Sequence, residues 1–125
     1  MDAATVEGML RQHFDNSRTD PENAHAMYTE DAVLEFPQSG ERFTGVENFR
    51  EWRSNYPANT LFEFQRVRGR GDFWVAELTV TYDGGPPNFG VSILELRDGR
   101  IARESIYVTE AFEAPEWRSQ WRAEP

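Results

Sequence analysis

Apolar residues recur at helical spacing near the start of the chain and with period two through most of its second half. A first helix is predicted from five positions that share one face at the i, i+3, i+4, i+7 spacing: Val6, Met9, Leu10, His13 and Phe14. Thr5 stands where the N-cap of this helix is expected.

Asp20-Pro21 predicts the start of a second, short helix, because proline is favoured at the first helical position. The apolar stripe of the second helix is Ala24, Met27 and Tyr28.

A strand pair and a third helix are predicted next. The strand Ala32–Phe36 ends at Pro37, and Ser39-Gly40 turns the chain into a second short strand that reaches Gly45. The third helix begins after Gly45 and ends before Pro57, because proline disfavours helical geometry in the residue before it. One face of this helix carries Val46, Phe49, Trp52, Arg53 and Tyr56.

The rest of the chain alternates between apolar and polar residues. Four strands are predicted: Leu61–Val67, Phe73–Tyr82, Phe89–Leu96 and Ile101–Thr109. Between the last two, Asp98-Gly99 predicts a tight hairpin, because this pair readily adopts positive φ. Three helices followed by a meander predict an α+β fold, in which a strongly bent, mostly antiparallel sheet carries the helices on its concave face. Such a cone-shaped domain, spanning residues 1–125, encloses a natural pocket.

Composition and charge narrow the class of protein. The 125 residues suffice for one domain with a core, and nine Phe, four Trp and four Tyr supply bulky lining for a core or a ligand site. Acidic residues outnumber basic ones by 22 to 13, which argues against a nucleic-acid partner. The chain has no Cys, so a disulfide framework and a thiolate metal site are excluded. No apolar run approaches the roughly 20 residues of a membrane span and no signal-peptide pattern opens the chain, so we expect a cytoplasmic protein without a membrane partner.

One short motif and the order of the elements resemble a known superfamily. Tyr28-Thr-Glu-Asp-Ala32 runs into a strand, and Pro37 precedes Gly40 and Gly45. In these features the chain resembles the nuclear transport factor 2-like superfamily, and within it the SnoaL-like group, alongside ketosteroid isomerase, scytalone dehydratase and limonene-epoxide hydrolase. The resemblance covers essentially the whole chain and implies the cone-shaped fold. Because this scaffold carries many chemistries and also plain binding, the resemblance leaves the function open.

The resemblance also places the catalytic positions of related enzymes on residues of this chain. The Asp that shuttles the proton in ketosteroid isomerases falls on Phe36. The oxyanion-hole tyrosine of those enzymes falls near Leu10, and their neutral carboxylic acid falls near Ser92. The acid–base Asp of polyketide cyclases falls close to Thr109. Each acid is therefore replaced here, and Phe36 is predicted to add binding surface to the pocket wall.

Histidine and tyrosine are the remaining candidates for acid–base chemistry. His13 lies on the apolar stripe of the first helix, and it is either a general base that points into the cone or a buried histidine bonded to a backbone carbonyl. Tyr28 is a candidate donor at the cone-facing end of the second helix, with a packing role as the alternative. His25 is expected at the helix edge or exposed. Two histidines without a suitably spaced carboxylate predict no metal site, and we expect no cofactor.

The predicted pocket combines aromatic walls with a few polar groups. Its candidate ligand-binding residues are Leu10, Phe36, Gln38, Trp52, Tyr56, Trp74, Ser92, Tyr107 and Thr109. Alternation along the strand Phe73–Tyr82 puts Trp74 inside the cone and Glu77 on the outer face. In the last strand, alternation lets Glu104 face either way, with Tyr107 and Thr109 on the side opposite to it.

Three hypotheses for the function follow. The chain is a cofactor-independent isomerase, cyclase or dehydratase acting on a hydrophobic cyclic molecule, with His13 as the preferred base. Alternatively, it binds a small apolar ligand without chemistry, or it is a dimeric interaction module. A homodimer is also expected. The outer sheet face carries Phe73, Val75, Thr79 and Thr81, and such a face tends to associate when it is exposed to solvent.

Overall fold

Three helices and the strands of one sheet make up the fold. The computed structural model describes residues 2–124, except for the side chain of Arg18. Within this range the helices are α1 (Ala3–Thr19), α2 (Pro21–Ala26) and α3 (Val46–Ser54). The strands are β1 (Tyr28–Phe36), β2 (Glu41–Thr44), β3 (Thr60–Arg70), β4 (Phe73–Tyr82), β5 (Asn88–Arg97) and β6 (Arg100–Glu110), and a 3-10 helix, Glu116–Trp121, follows them. None of the helices described is long and apolar enough to cross a bilayer.

The six strands form one curled sheet in the order β2-β1-β6-β5-β4-β3. Neighbours pair antiparallel, except that β1 and β6 are parallel. Extra residues at Gln65 in β3 and Ala102 in β6 interrupt the ladder and bend the strands. Helix α1 packs against β3, and α3 packs against β1 and β2. The predicted α+β fold with a bent, mostly antiparallel sheet is confirmed.

The helices begin where short polar residues or glycine permit it. Asp2 caps α1, because its carboxylate accepts the backbone N–H of Thr5 at 2.8 Å; the prediction that Thr5 is the cap is wrong. Asp20 caps α2 and Pro21 is its first residue, as predicted. Helix α3 follows Gly45, whose φ of 89° is costly for any residue with a side chain.

Two tyrosines lie outside the helices predicted for them. Helix α2 ends at Ala26, because Tyr28 pairs with Ile101 of β6 and therefore starts β1. Helix α3 ends at Ser54, which leaves Tyr56 in the turn that follows. The side chain of Tyr28 is thus fixed by the sheet, and that of Tyr56 by a turn.

The core lies between the inner face of the sheet and the helices. Leu10 of α1, Phe49 of α3 and Leu34 of β1 are fully buried there. Trp74 of β4 is buried with them, and its indole N–H donates to the carbonyl of Gly71 at 2.9 Å. Leu10 and Trp74, which the sequence placed in the pocket, therefore belong to the core and do not line the cavity.

A bulge in β6 decides which of its side chains face inward. Ala102 is the extra residue and has no partner in β5. Ile101 and Glu104 are consequently both buried, although they are three residues apart. Beyond the bulge, Tyr107 and Thr109 are exposed on the outer side. Their predicted place in the pocket is therefore wrong.

Candidate active site

A cavity of about 340 Å³ lies between the helices and the inner face of the sheet. This volume is at the small end of the range for small-molecule sites. Aromatic rings form much of its wall, and Phe36 packs edge-on against Trp52 with ring centroids 5.9 Å apart. Gly90 also lines the cavity, and a Cβ at this position would come within 3.1 Å of Val80 Cγ2. The lack of a side chain at Gly90 thus keeps this part of the wall clear.

A buried carboxylate marks the polar end of this cavity. Glu104 of β6 is only 1% exposed, and both of its oxygens are engaged. The Tyr28 hydroxyl donates to Oε1, and the Ser92 hydroxyl donates to Oε2 at 2.5 Å. Hydrogen bonds to both oxygens offset the cost of removing a charged group from water. The three side chains come from β1, β5 and β6, so the sheet register holds them together.

Arg53 of α3 extends this cluster toward the helices. Both Nη atoms lie 3.4 Å from the Tyr28 hydroxyl oxygen, and the guanidinium stands over the ring of Trp52 at 5.3 Å. Burial tends to lower the pKa of Arg53, but the neighbouring Tyr28 and Glu104 outweigh it and raise that pKa above its ordinary value. Burial raises the pKa of Tyr28, and the charge of Arg53 opposes this shift only in part. Tyr28 is therefore a neutral hydrogen-bond donor between a cation and a carboxylate.

His25 is buried, and the prediction that it lies at the helix edge or exposed is wrong. Its Nδ1 lies 2.7 Å from the carbonyl of Pro21, one turn earlier in α2. Because a carbonyl only accepts, Nδ1 carries the proton, and Nε2 accepts from Arg53 Nη1 at 3.4 Å. Burial and the charge of Arg53 both lower the pKa of His25. The neutral ring thus accepts from the same Arg53 Nη1 that lies near the Tyr28 hydroxyl.

His13 lines the cavity beside Tyr28 and is 2% exposed. Its ring meets Tyr28 edge-on, with centroids 5.2 Å apart. Burial lowers the pKa of His13 to about 4, although the charge of Glu104 opposes the shift. Among residues 2–124 its Nδ1 has no hydrogen-bond partner. The imidazole is therefore neutral at neutral pH and is a weak base.

The surface also has a wider depression at the β5–β6 hairpin. It measures about 660 Å³ and is lined only by polar and charged residues. Arg97 and Asp31, both well exposed, form an ion pair of 2.6 Å across it. Because this depression has no apolar wall, the candidate active site is the inner cavity.

The sequence and the structure both relate this arrangement to known proteins. Residues 6–104 match the family model of the SnoaL-like domain. The chain belongs to the SnoaL-like family. No curated protein has a significantly similar sequence.

Solved structures of similar fold support this assignment of the SnoaL-like domain. A nuclear transport factor 2-like protein of unknown function from Burkholderia xenovorans is 38% identical, with a TM-score of 0.87 over 96% of this chain and 94% of that one. A proposed ketosteroid isomerase from Kribbella flavida is 26% identical, with a TM-score of 0.84 over 96% and 89% of the two chains. A proposed polyketide cyclase from Sinorhizobium meliloti, 23% identical with a TM-score of 0.71 over 86% and 100%, shares the fold.

Six of the residues predicted for the site line the cavity of the SnoaL-like domain: His13, Tyr28, Phe36, Trp52, Tyr56 and Ser92. Their roles in binding or catalysis stay predictions. Gln38 does not line the cavity, because its Oε1 accepts the backbone N–H of Val108 at 2.7 Å and ties the turn after β1 to β6.

Among the cavity residues that the sequence did not predict are Glu104 and Arg53, which carry the charges of its polar end. Period-two alternation gives Glu104 no direction, because it does not reveal the bulge at Ala102. Arg53 gave a usable signal, since it is a charged residue on the apolar face of α3, between Trp52 and the turn. Arg53 is half-buried, and a charge at such a position needs a partner, which here is the Tyr28–Glu104 pair.

Proposed function

We propose that this SnoaL-like domain is a cofactor-independent enzyme that moves a proton on a compact, hydrophobic, cyclic molecule. Isomerisation, cyclisation and dehydration are the reactions of this kind. The observation that carries the proposal is Glu104, a buried carboxylate held by two hydroxyls at the polar end of an apolar cavity. A carboxylate in such surroundings is a frequent acid–base group in enzymes.

Glu104 has the role of the base in this proposal. In an isomerisation, the C–H bond next to a substrate carbonyl breaks, Glu104 takes the proton, and the proton then returns to another carbon of the same molecule. The carbonyl oxygen gains negative charge in between. Protonation of Glu104 removes the charge to which the hydroxyls of Tyr28 and Ser92 donate, and this frees one of them to turn its proton to that oxygen. The positive charge of Arg53 near the Tyr28 hydroxyl favours that charge.

Other chemistries find less support in the residues of the chain. The 125 residues contain neither Lys nor Cys, so they offer no side-chain amine for a Schiff base and no thiolate nucleophile. His13 remains in the cavity, but its Nδ1 has no partner among residues 2–124 that would orient the ring as a base. We therefore assign His13 to the orientation of the Tyr28 ring, which it meets edge-on, and not to the proton transfer.

The proposal is tested by measuring hydrogen–deuterium exchange and isomerisation of a small ketone. A β,γ-unsaturated cyclohexenone is incubated with the protein in D₂O, and NMR follows its conversion to the conjugated isomer and the uptake of deuterium. We expect Glu104→Gln to lower the rate by about 10²- to 10⁴-fold, the usual share of general acid–base catalysis. Glu35→Gln, on the outer side of β1, is the matched control and should leave the rate unchanged. A Glu104→Gln protein of normal stability and full activity would contradict the assignment.

Binding without turnover is the second candidate. It is favoured by Phe36, an apolar ring where related enzymes carry an acid, and by the two hydroxyls that already occupy the Glu104 oxygens. Trp52 lies in the cavity wall and reports occupancy by its fluorescence. Saturable quenching by the cyclohexenone without any deuterium uptake would favour binding over catalysis.

A further inference from the structure

The charged residues that line the cavity differ in how well they are paired. They are Glu22, Arg50, Arg53 and Glu104. Both oxygens of Glu104 accept from hydroxyls. Arg50 forms ion pairs with Glu47 at 3.1 Å and with Glu22 at 3.7 Å. Arg53 is the one that remains, and its contacts are of a different kind.

Arg53 lacks a carboxylate in direct contact. Within residues 2–124, no Asp or Glu oxygen lies within 4.0 Å of its guanidinium nitrogens. Among the described side chains, the other arginines that are partly shielded from solvent are Arg50 and Arg103, and both have such a contact. Because a charge removed from water is costly without a partner, the position of Arg53 indicates that a partner is supplied from outside the chain.

The contacts that Arg53 does make are long and go to neutral groups. Its Nη1 lies 3.4 Å from the Tyr28 hydroxyl oxygen and 3.4 Å from His25 Nε2, and its Nη2 lies 3.4 Å from the same hydroxyl. Hydrogen bonds from N–H to oxygen usually span about 2.7 to 3.2 Å. A guanidinium also has more N–H donors than these acceptors can use, and its planar fork matches both oxygens of a carboxylate.

Glu104 compensates the charge of Arg53 only from a distance. The Tyr28 hydroxyl stands between them, since it donates to Glu104 and its oxygen faces Arg53. Attraction between charges falls with their separation, so an anion in direct contact with Arg53 would be held more strongly than Glu104 holds it now. The hydroxyls that donate to Glu104 already stabilise its negative charge, which weakens its repulsion of a second anion.

The wall beside Arg53 accepts an apolar body attached to that anion. The guanidinium stands over the ring of Trp52 at 5.3 Å, and Trp52 packs edge-on against Phe36. A molecule with an acidic group at Arg53 therefore meets aromatic rings directly beside it. One unpaired positive charge in a cavity of about 340 Å³ matches a small molecule with a single negative charge.

We propose that the molecule bound in the cavity carries a carboxylate, and that Arg53 binds this group through the N–H donors that Tyr28 and His25 leave unused. This inference rests on the proposed function in one respect, the use of the cavity as the substrate site. It narrows the substrate class from hydrophobic cyclic molecules to cyclic acids. Arg53 is then the residue that determines this specificity.

Calorimetric titration with a matched pair of ligands tests the proposal. The ligands are a cyclohexanone carboxylate and the corresponding carboxamide, which have nearly the same shape and differ in charge. At neutral pH and low salt we expect the wild-type protein to bind the acid at least about tenfold more tightly than the amide, because charge-assisted hydrogen bonds are stronger than neutral ones. Equal affinities in the wild type, or no binding of either ligand at millimolar concentration, would overturn the proposal.

The variant Arg53→Gln separates recognition of the acid from support of the site. We expect its acid and amide affinities to become equal within about threefold, through a loss of acid binding only. The control Arg42→Gln removes the charge of an exposed arginine on β2 and should keep the preference of the wild type. Urea unfolding establishes that both variants are folded. If Arg53→Gln weakens the acid and the amide by the same factor, Arg53 only supports Tyr28 and the proposal fails.

The same titration distinguishes this proposal from the assignment of the base. Glu104→Gln removes the proposed base and leaves Arg53 in place, so it should keep a preference for the acid at least as large as that of the wild type. A variant that prefers the acid without turning over ketones supports both assignments. A protein that loses its activity in Glu104→Gln but never prefers the acid keeps the base and overturns the carboxylate.

Discussion

β1 and β6 lie side by side in the sheet, yet they present opposite chemistry to the same cavity. Near the end of β1, Phe36 packs edge-on against Phe43 and Trp52, with centroids 6.1 and 5.9 Å away. On β6, Glu104 pairs with Leu34 of β1 and carries its carboxylate between two hydroxyls. The strand end at which the resemblance predicts an acid thus carries an apolar ring, and an acid stands one strand away.

The two positions are stabilised in different ways. Phe36 needs no polar partner, and its burial contributes about 25 cal/mol per Å² of apolar surface. Glu104 is stable in the interior only because Tyr28 and Ser92 donate to it and Arg53 lies behind Tyr28. The comparison teaches that a change at Phe36 acts through packing alone, whereas a change at Glu104 also leaves its polar partners without a hydrogen-bond acceptor.

The largest effect on stability is expected at the apolar position. Phe36→Ala should lower the free energy of unfolding by about 3 kcal/mol, because it leaves a void beside Phe43 and Trp52. Phe36→Leu is the control and should lose less than half of that. Urea unfolding followed by Trp fluorescence measures both. Equal losses in the two variants would show that the site depends on the ring itself and not on the filled volume.

A smaller loss is expected at the hydroxyl that joins the two charges. Tyr28→Phe removes the donor to Glu104 and the acceptor for Arg53, and should cost about 1 to 3 kcal/mol of unfolding free energy. Tyr107→Phe makes the same chemical change on the exposed outer side and should stay within about 0.5 kcal/mol of the wild type. If the two variants are equally stable in urea, the polar end does not act as a connected network.

The smallest effect is the pH dependence that His13 contributes. Its pKa is lowered from 6.5 to about 4 by burial, so the unfolded chain binds more protons than the folded protein between these values. Stability is therefore full above pH 6.5 and falls as the pH drops toward 4, by about 1 kcal/mol between pH 7.5 and 5.5.

The variant His13→Phe isolates this contribution from that of His25. The pKa of His25 is also lowered, so the wild type carries both slopes. We expect the loss between pH 7.5 and 5.5, measured by urea unfolding at each pH, to shrink by about 1 kcal/mol in the variant. An unchanged pH dependence would mean that His13 is not desolvated in solution.

Local sequence signals predicted most of the fold, whereas the site depends on contacts between residues that are far apart in the sequence. Gly45 and the pair Asp98-Gly99 act within a few residues, through positive φ, so the start of α3 and the β5–β6 hairpin could be read directly. The inward turn of Glu104 depends on how β6 pairs with β5, and nothing within β6 itself signals it. The burial of His25 likewise depends on Arg53, 28 residues later in the chain.

Tyr28 is a second case in which the local sequence does not predict the structure. Its spacing from Ala24 continues the stripe of a helix, and only the parallel pairing of β1 with β6 draws it into the sheet. Sequence periodicity thus identified Tyr28 as a cavity residue but assigned it to a helix and not to a strand. The hydrogen bond of its hydroxyl could not be predicted from periodicity, because the acceptor is a carboxylate 76 positions away.

The single extra residue in β6 has an evolutionary consequence. If a three-nucleotide deletion removed Ala102 while the hairpin kept its pairing, Arg103 would stay opposite Glu95 and Glu104 would stay opposite Leu94. Paired residues of an antiparallel ladder face the same side of the sheet, so Glu104 would keep its place beside Ser92. Ile101 and Glu104 would then be two residues apart, as regular alternation requires of two inward-facing side chains. A lineage can thus gain or lose a residue at this point of the strand without moving its reactive group.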